Sequence, residues 1–151
     1  MDKKEYTFRH IGPDETAAIR ELFFSVFTAP PWNDDWSDSE QLDLYLQDLI
    51  GQNNSLTYGL YAGEKLIGVS MGHIKHWYTG VEYCVDEFCI LAEKQGQGLG
   101  TLFLREMEKE IGKLGITQVF LQTEATVPAY HFYLKNGFAE MKGHVSFVKR
   151  L

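Results

Sequence analysis

The sequence predicts an α/β fold, a mixed central β-sheet flanked by helices, with elements in the order βααβββαβαβ. Three observations predict it. Residues 82–91 are rich in β-branched, aromatic and aliphatic side chains and read as a strand. That strand runs through a loop with glycines at 96, 98 and 100 into a helix over residues 101–114. Its apolar face carries Leu99, Leu102, Phe103, Met107, Ile111 and Leu114 at steps of three and four. Finally, residues 56–91 read as a meander of antiparallel strands, whereas residues 118–123 read as a strand brought parallel to the central one by a right-handed crossover.

The remaining elements follow in order. Tyr6-Thr7-Phe8-Arg9-His10-Ile11 alternates as a first strand, and Gly12-Pro13 turns the chain. Asp14 is the expected N-cap of a helix over residues 15–27, with Ala18, Ile19, Leu22, Phe23 and Val26 inward. Two prolines, Pro30 and Pro31, exclude helix from the next segment, which also carries Trp32 and Trp36. Ser37 or Ser39 is expected to cap a second helix ending near Ile50, its core face Leu42, Leu46, Leu49 and Ile50. A hairpin over residues 56–74 turns at Gly63-Glu64, and a second link near Tyr78-Thr79-Gly80 enters the central strand. Gly115 stops the long helix. Pro128 opens a short helix to about Lys135 that Asn136-Gly137 ends, and residues 145–149 read as a closing strand.

Composition sets the bounds. A chain of 151 residues, 44% hydrophobic and 23% charged, is expected to form a single domain over residues 1–151 with a substantial core. No apolar run reaches membrane-spanning length, and the charged start, Asp2 to Glu5, is not that of a signal peptide, so a cytoplasmic protein with no membrane partner is expected. Cys84 and Cys89 are five residues apart on one strand and should point to opposite faces, reading as small buried hydrophobes rather than a disulfide or metal pair. The net charge of −7 disfavours nucleic acid and suits a cationic small molecule or peptide.

The glycine loop between strand and helix is built to hold an anion. Its backbone N–H groups are uncrowded, and the helix dipole adds about half a positive charge there. The spacing does not fit a dinucleotide fingerprint, because Thr101 stands where the third glycine would fall, and no Walker sequence is present. It fits Q/R-x-x-G-x-G/A as Gln95-x-x-Gly98-x-Gly100. In this motif, in the order of its elements and in Ala129-Tyr130-His131-Phe132-Tyr133-Leu134-Lys135-Asn136-Gly137-Phe138, the whole chain resembles the GNAT (Gcn5-related) N-acetyltransferase superfamily. Thr126 departs from the pattern, standing where the superfamily often has asparagine.

The resemblance implies acetyl transfer from acetyl-CoA, as cosubstrate, to a primary amine, with no metal. It places pantetheine along the central strand at Phe88, Cys89 and Ile90, with the Phe88 N–H near the acyl oxygen. It places the pyrophosphate on the loop formed by Gly96, Gln97, Gly98, Leu99, Gly100 and Thr101, which Gln95 shapes or joins. Thr126 would cap its helix or reach the cofactor through its hydroxyl. Tyr133 aligns with the tyrosine that protonates the departing thiolate in many relatives. The base that deprotonates the amine falls among Glu87, Asp86 and Glu82, with Glu87 favoured, or is an ordered water. Acceptor contacts are expected from Trp32 and Trp36, with Asp34, Asp35 and Glu40 beside them, and from His76, Trp77, Tyr78 and Glu82 at the strand tips. Such a mixture suits a polyamine or an aminoglycoside. The tryptophans serve equally as a hydrophobic lid or a homodimer contact. Two other readings compete: acetylation of a protein N-terminus or lysine, and a non-catalytic acyl-CoA sensor.

Overall fold

A computed structural model describes residues 5–151. Of the charged start, Asp2, Lys3 and Lys4 lie outside the described residues. The elements are β1 (Tyr6–Ile11), α1 (Thr16–Phe27), α2 (Ser39–Ile50), β2 (Ser55–Ala62), β3 (Lys65–Trp77), β4 (Gly80–Ile90), α3 (Leu99–Lys113), β5 (Gln118–Leu121) and α4 (Pro128–Lys135). The strands form one sheet in the order β1-β2-β3-β4-β5, antiparallel throughout except for the parallel pair β4·β5. The mixed sheet flanked by helices is the expected architecture.

Each face of the sheet buries one pair of helices. On one side Ile19, Leu22 and Phe23 of α1 and Leu42, Leu46 and Leu49 of α2 pack on Val69 and Met71 of β3. On the other, Leu99, Phe103, Met107 and Ile111 of α3 pack on Tyr58, Leu60, Tyr83 and Ile90, and Phe132 of α4 joins them. Arg20 ties α1 to α2 through Asp43 at 2.7 Å and Ser39 at 2.7 Å.

Five expectations are corrected. Asp14 does not cap α1; it lies within a 3₁₀ turn, Pro13–Glu15, that leads into the helix. The cap of α2 is Asp38, whose carboxylate accepts from Gln41 N at 3.0 Å, in place of Ser37 or Ser39; an Asp one residue earlier offers a stronger, charged acceptor. β3 continues to Trp77, because β4 pairs with it out to Trp77↔Gly80. Leu114 is 57% exposed, since α3 ends at Lys113 and the chain then turns through Gly115. Residues 145–149 form no strand: Val145, Phe147 and Val148 are exposed, and the segment meets the end of β5 through Gln122 Nε2, which donates to Ser146 Oγ at 3.1 Å. Its alternating pattern is strand-like, but no backbone ladder forms there.

Candidate active site

One extra residue in β4 decides which side chains meet. The β3·β4 register runs His73↔Cys84 and Gly72↔Val85, then Met71↔Glu87 and Val69↔Cys89, so Asp86 has no partner of its own. This is a β-bulge, and it inverts the alternation beyond it. Glu87 now shares a face with Met71, toward α1 and α2, while Phe88 joins Val85 on the side of α3 and α4. The same inversion corrects the expectation for the cysteines. Paired with His73 and Val69, residues four apart on β3, Cys84 and Cys89 lie on the same face; both are buried and free.

Beyond the bulge β4 also loses its outer neighbour. The β4·β5 ladder ends at Val85↔Leu121, leaving Asp86 to Ile90 an open edge. Leu91 N donates to Ile67 O at 2.7 Å, which fixes the phase of the antiparallel ladder. In that phase Cys89 bonds β3, whereas the backbone groups of Phe88 and Ile90 point out of the open edge. Gln95 crosses this edge, its Nε2 donating to Ile90 O at 2.8 Å.

The gap between β4 and β5 opens into a cleft of about 380 Å³, whose lining includes Trp32, Asp34, Asp86, Glu87, Phe88 and Tyr133. Glu124 adds a further carboxylate. Glu87 accepts a hydrogen bond from the Tyr45 hydroxyl at 2.6 Å. Burial pushes the Glu87 carboxyl up to about 7; the Tyr45 bond counteracts this, and the charges of Asp34 and Asp86 add to it. A carboxylate titrating there can take up a proton near neutral pH. Asp86 is engaged differently, 3.1 Å from His73 Nδ1. The Tyr133 phenol is raised well above its ordinary range, first by burial and then by Cys89 and Glu87, so it stays protonated. Its ring stands edge-on to Phe88 with centroids 6.5 Å apart.

At the mouth of α3 the chain turns through Gly96 (φ 75°) and Gly98 (φ 77°), left-handed conformations that side chains resist. The first helical bond runs from Leu102 N to Gly98 O at 3.1 Å, so the amides of Leu99, Gly100 and Thr101 have no acceptor within the helix. Gln97 is exposed, and its Nε2 donates back to Glu93 O at 3.3 Å. Bare amides, a helix N-terminus and an adjacent open strand edge fit a ligand with a diphosphate and an amide-bearing arm. Among the described residues, no group of three His, Cys, Asp or Glu side chains could hold a metal ion, and no helix is long and apolar enough to cross a membrane.

The other sequence-derived residues divide sharply. Trp32 lines the cleft, and Trp36 stands behind it, stacked on Tyr45 at 5.1 Å with a 17° interplanar angle. Thr126 is exposed and does not cap α4, whose N-cap position is Val127. The strand-tip residues expected to meet the acceptor stand apart from this cleft. Trp77 lies at the β3–β4 turn, 47% exposed, against Lys75 at 4.3 Å. Glu82 is buried where β4 meets β5, accepting from Gln118 Nε2 and 3.9 Å from Lys75 Nζ. Neither lines the cleft, because the bulge and the open edge of β4 that bound it begin beyond Val85, where the β4·β5 ladder ends. Sequence reasoning missed Tyr45. Its signal was position: three residues after Leu42 and four before Leu49, it is an aromatic with a polar tip beside the core face of α2.

Comparison with known proteins places these features in context. The model of a family described as acetyltransferase (GNAT) matches residues 16–138. No curated protein sequence matches. Among solved structures, an aminoglycoside acetyltransferase from an uncultured soil metagenomic sample, crystallised with sisomicin, superposes with a TM-score of 0.77 at 19% identity, covering 98% of this chain and 97% of that one. AAC(6')-Iy, solved with the bisubstrate analog CoA-S-monomethyl-acetylneamine, gives 0.73 at 14% identity over 97% and 99% of the two chains. Ribosomal-protein-alanine N-acetyltransferase from Brucella melitensis gives 0.74 at 13% identity, with 97% and 99% covered.

Proposed function

The chain belongs to the acetyltransferase (GNAT) family and is an acetyl-CoA-dependent N-acetyltransferase; on that premise we propose that it acetylates a primary amine of a small cationic acceptor by direct attack in a ternary complex. One observation carries the reading: Glu87 and Tyr133 line a single cleft whose other charged side chains are carboxylates, Asp34, Asp86 and Glu124. Negative charge beside the face of Trp32 favours an ammonium or a multiply charged amine.

In the proposed reaction Glu87 takes the proton that the acceptor's ammonium must lose. The amine nitrogen then attacks the thioester carbonyl, and the Phe88 N–H on the open edge of β4 donates to the oxygen as it gains charge. The carbon–sulfur bond breaks, the departing thiolate takes its proton from the Tyr133 hydroxyl, and the extra proton on the acylated nitrogen returns to the Tyr133 phenolate. Amides from Gln97 to Thr101 hold the pyrophosphate, while Gln95 keeps the loop against Ile90. Holding both substrates face to face supplies much of the rate. A polyamine or an aminoglycoside fits this acidic, aromatic cleft; a protein N-terminus is the competing acceptor.

The test is acetyl-CoA turnover, followed by thiol release, with polyamines, aminoglycosides and a ribosomal-protein N-terminal peptide. Faster turnover of a small polycation supports the proposal. A preference for the peptide, or CoA binding with no acceptor-dependent thiol release, overturns it.

A further inference from the structure

We propose that Tyr45 is a positioning residue for acetyl transfer, its phenol holding one oxygen of Glu87 so that the other is presented to the acceptor amine. The proposal rests on the reading of Glu87 as the base. It stands on geometry contributed by three elements. Tyr45 reaches from the middle of α2 across to β4, and its hydroxyl donates to Glu87 Oε1 at 2.6 Å. That bond engages Oε1 of a carboxylate that also lines the cleft, so Oε2 is the oxygen assigned to the acceptor amine. The Tyr45 ring is itself clamped: Trp36 lies flat on it, and Phe23 of α1 packs against it with centroids 5.9 Å apart. Phe23 also meets Trp36 edge-on at 5.5 Å, so the three rings form one wall. A phenol on so constrained a ring has little freedom to leave Glu87, and the bulge at Asp86 turns Glu87 toward it.

Titratable groups face Glu87 from several elements. Asp34 faces it from the loop between α1 and α2, and Asp86, itself held by His73, faces it from the bulge. Tyr133 approaches from α4, and Cys89 lies two residues along β4, where burial raises its thiol. Asp34 and Asp86 raise the Glu87 carboxyl, whereas the Tyr45 hydrogen bond stabilises the ionised carboxylate. Without its hydroxyl, Glu87 should hold its proton to higher pH.

The experiment uses Tyr45→Phe, which keeps the ring between Phe23 and Trp36 and removes only the hydroxyl. The acidic limb of kcat/KM should move up by about one pH unit, with CoA affinity unchanged. A ¹³C NMR titration of the Glu87 carboxyl, assigned by its loss in Glu87→Gln, should move by the same amount. An unmoved limb and titration in Tyr45→Phe, while Glu87→Gln abolishes the limb, overturn the role of Tyr45 and leave Glu87 as base. If Glu87→Gln keeps both the limb and the rate, the base assignment fails and this proposal with it. Should Tyr45→Phe not fold, Trp36→Phe loosens the same wall; a smaller upward move of the limb supports the proposal, and an unmoved limb overturns it.

Discussion

Gly100 of α3 faces the ring of Phe132 on α4 so closely that a Cβ at Gly100 would stand 3.0 Å from the ring. The contact brings α4, and with it Tyr133, against the mouth of α3. A side chain at 100 must therefore push α4 away or crowd the free amides beside it. Gly100→Val is expected to weaken CoA binding at least tenfold by calorimetry, while circular dichroism stays that of the folded chain. Gly98→Ala should act in the same direction through its left-handed φ, a penalty of about 1–2 kcal/mol. Unchanged affinity in both would remove the diphosphate from this loop.

Tyr133→Phe deletes the hydroxyl proposed to protonate the thiolate and keeps the ring against Phe88. We expect kcat to fall about 100-fold, with little change in CoA affinity. Steady-state kinetics alongside binding measurements check this, and a wild-type kcat would withdraw the role.

Glu87 also links pH to folding. Its carboxyl is ordinarily at 4.5 and is raised to about 7 in the fold. Between those values the folded chain binds more proton than the unfolded one, so this group's contribution to stability falls as pH rises through that window. Glu87→Gln carries no charge and still offers Tyr45 an acceptor. It should be more stable than the parent at pH 8, by about 3 kcal/mol, and differ little at pH 4. Thermal melts at the two pH values decide; equal shifts at both would mean that the charge is not buried.

Asp34 lines the cleft and is exposed to solvent. Asp34→Asn should raise KM for a polycationic acceptor about threefold to fivefold, with KM for acetyl-CoA unchanged. Raising the salt concentration should narrow the gap between variant and parent. An effect confined to kcat would point instead to the field that Asp34 exerts on Glu87.

Glu82 serves as the contrast. It is buried against Gln118 and Lys75 and lies outside the cleft. Glu82→Ala leaves those partners without an acceptor and is expected to lower the melting temperature by several degrees. Kinetic constants measured on the folded protein should not change; a raised acceptor KM would return Glu82 to the acceptor site.

What could be read early and what could not follows particular residues. The burial of Leu42, Leu46 and Leu49, the start of α4 at Pro128 and the glycine turn into α3 were legible, because each is set within one turn of helix or one loop. The shared face of Cys84 and Cys89 was not, because strand alternation is reset by a bulge that exists only in the pairing with β3. The bond from Tyr45 to Glu87 spans 42 residues, and no local pattern announces a contact of that kind. The segment at 145–149 shows the opposite failure, since its alternation is strand-like but a strand requires a partner in reach.

By itself, the sequence determined the alternation of helix and strand, the glycine loop that opens α3 and, through its motifs, the family. Those depend on neighbours a few positions apart, where periodicity and backbone preference act directly. Tertiary structure alone decided that Glu87 meets Tyr45, that Asp34, Asp86 and Tyr133 line one cleft, and that Glu82 and Trp77 do not. Side chains distant in sequence converge only after register, bulge and the end of the β4·β5 ladder are set by packing across the whole sheet.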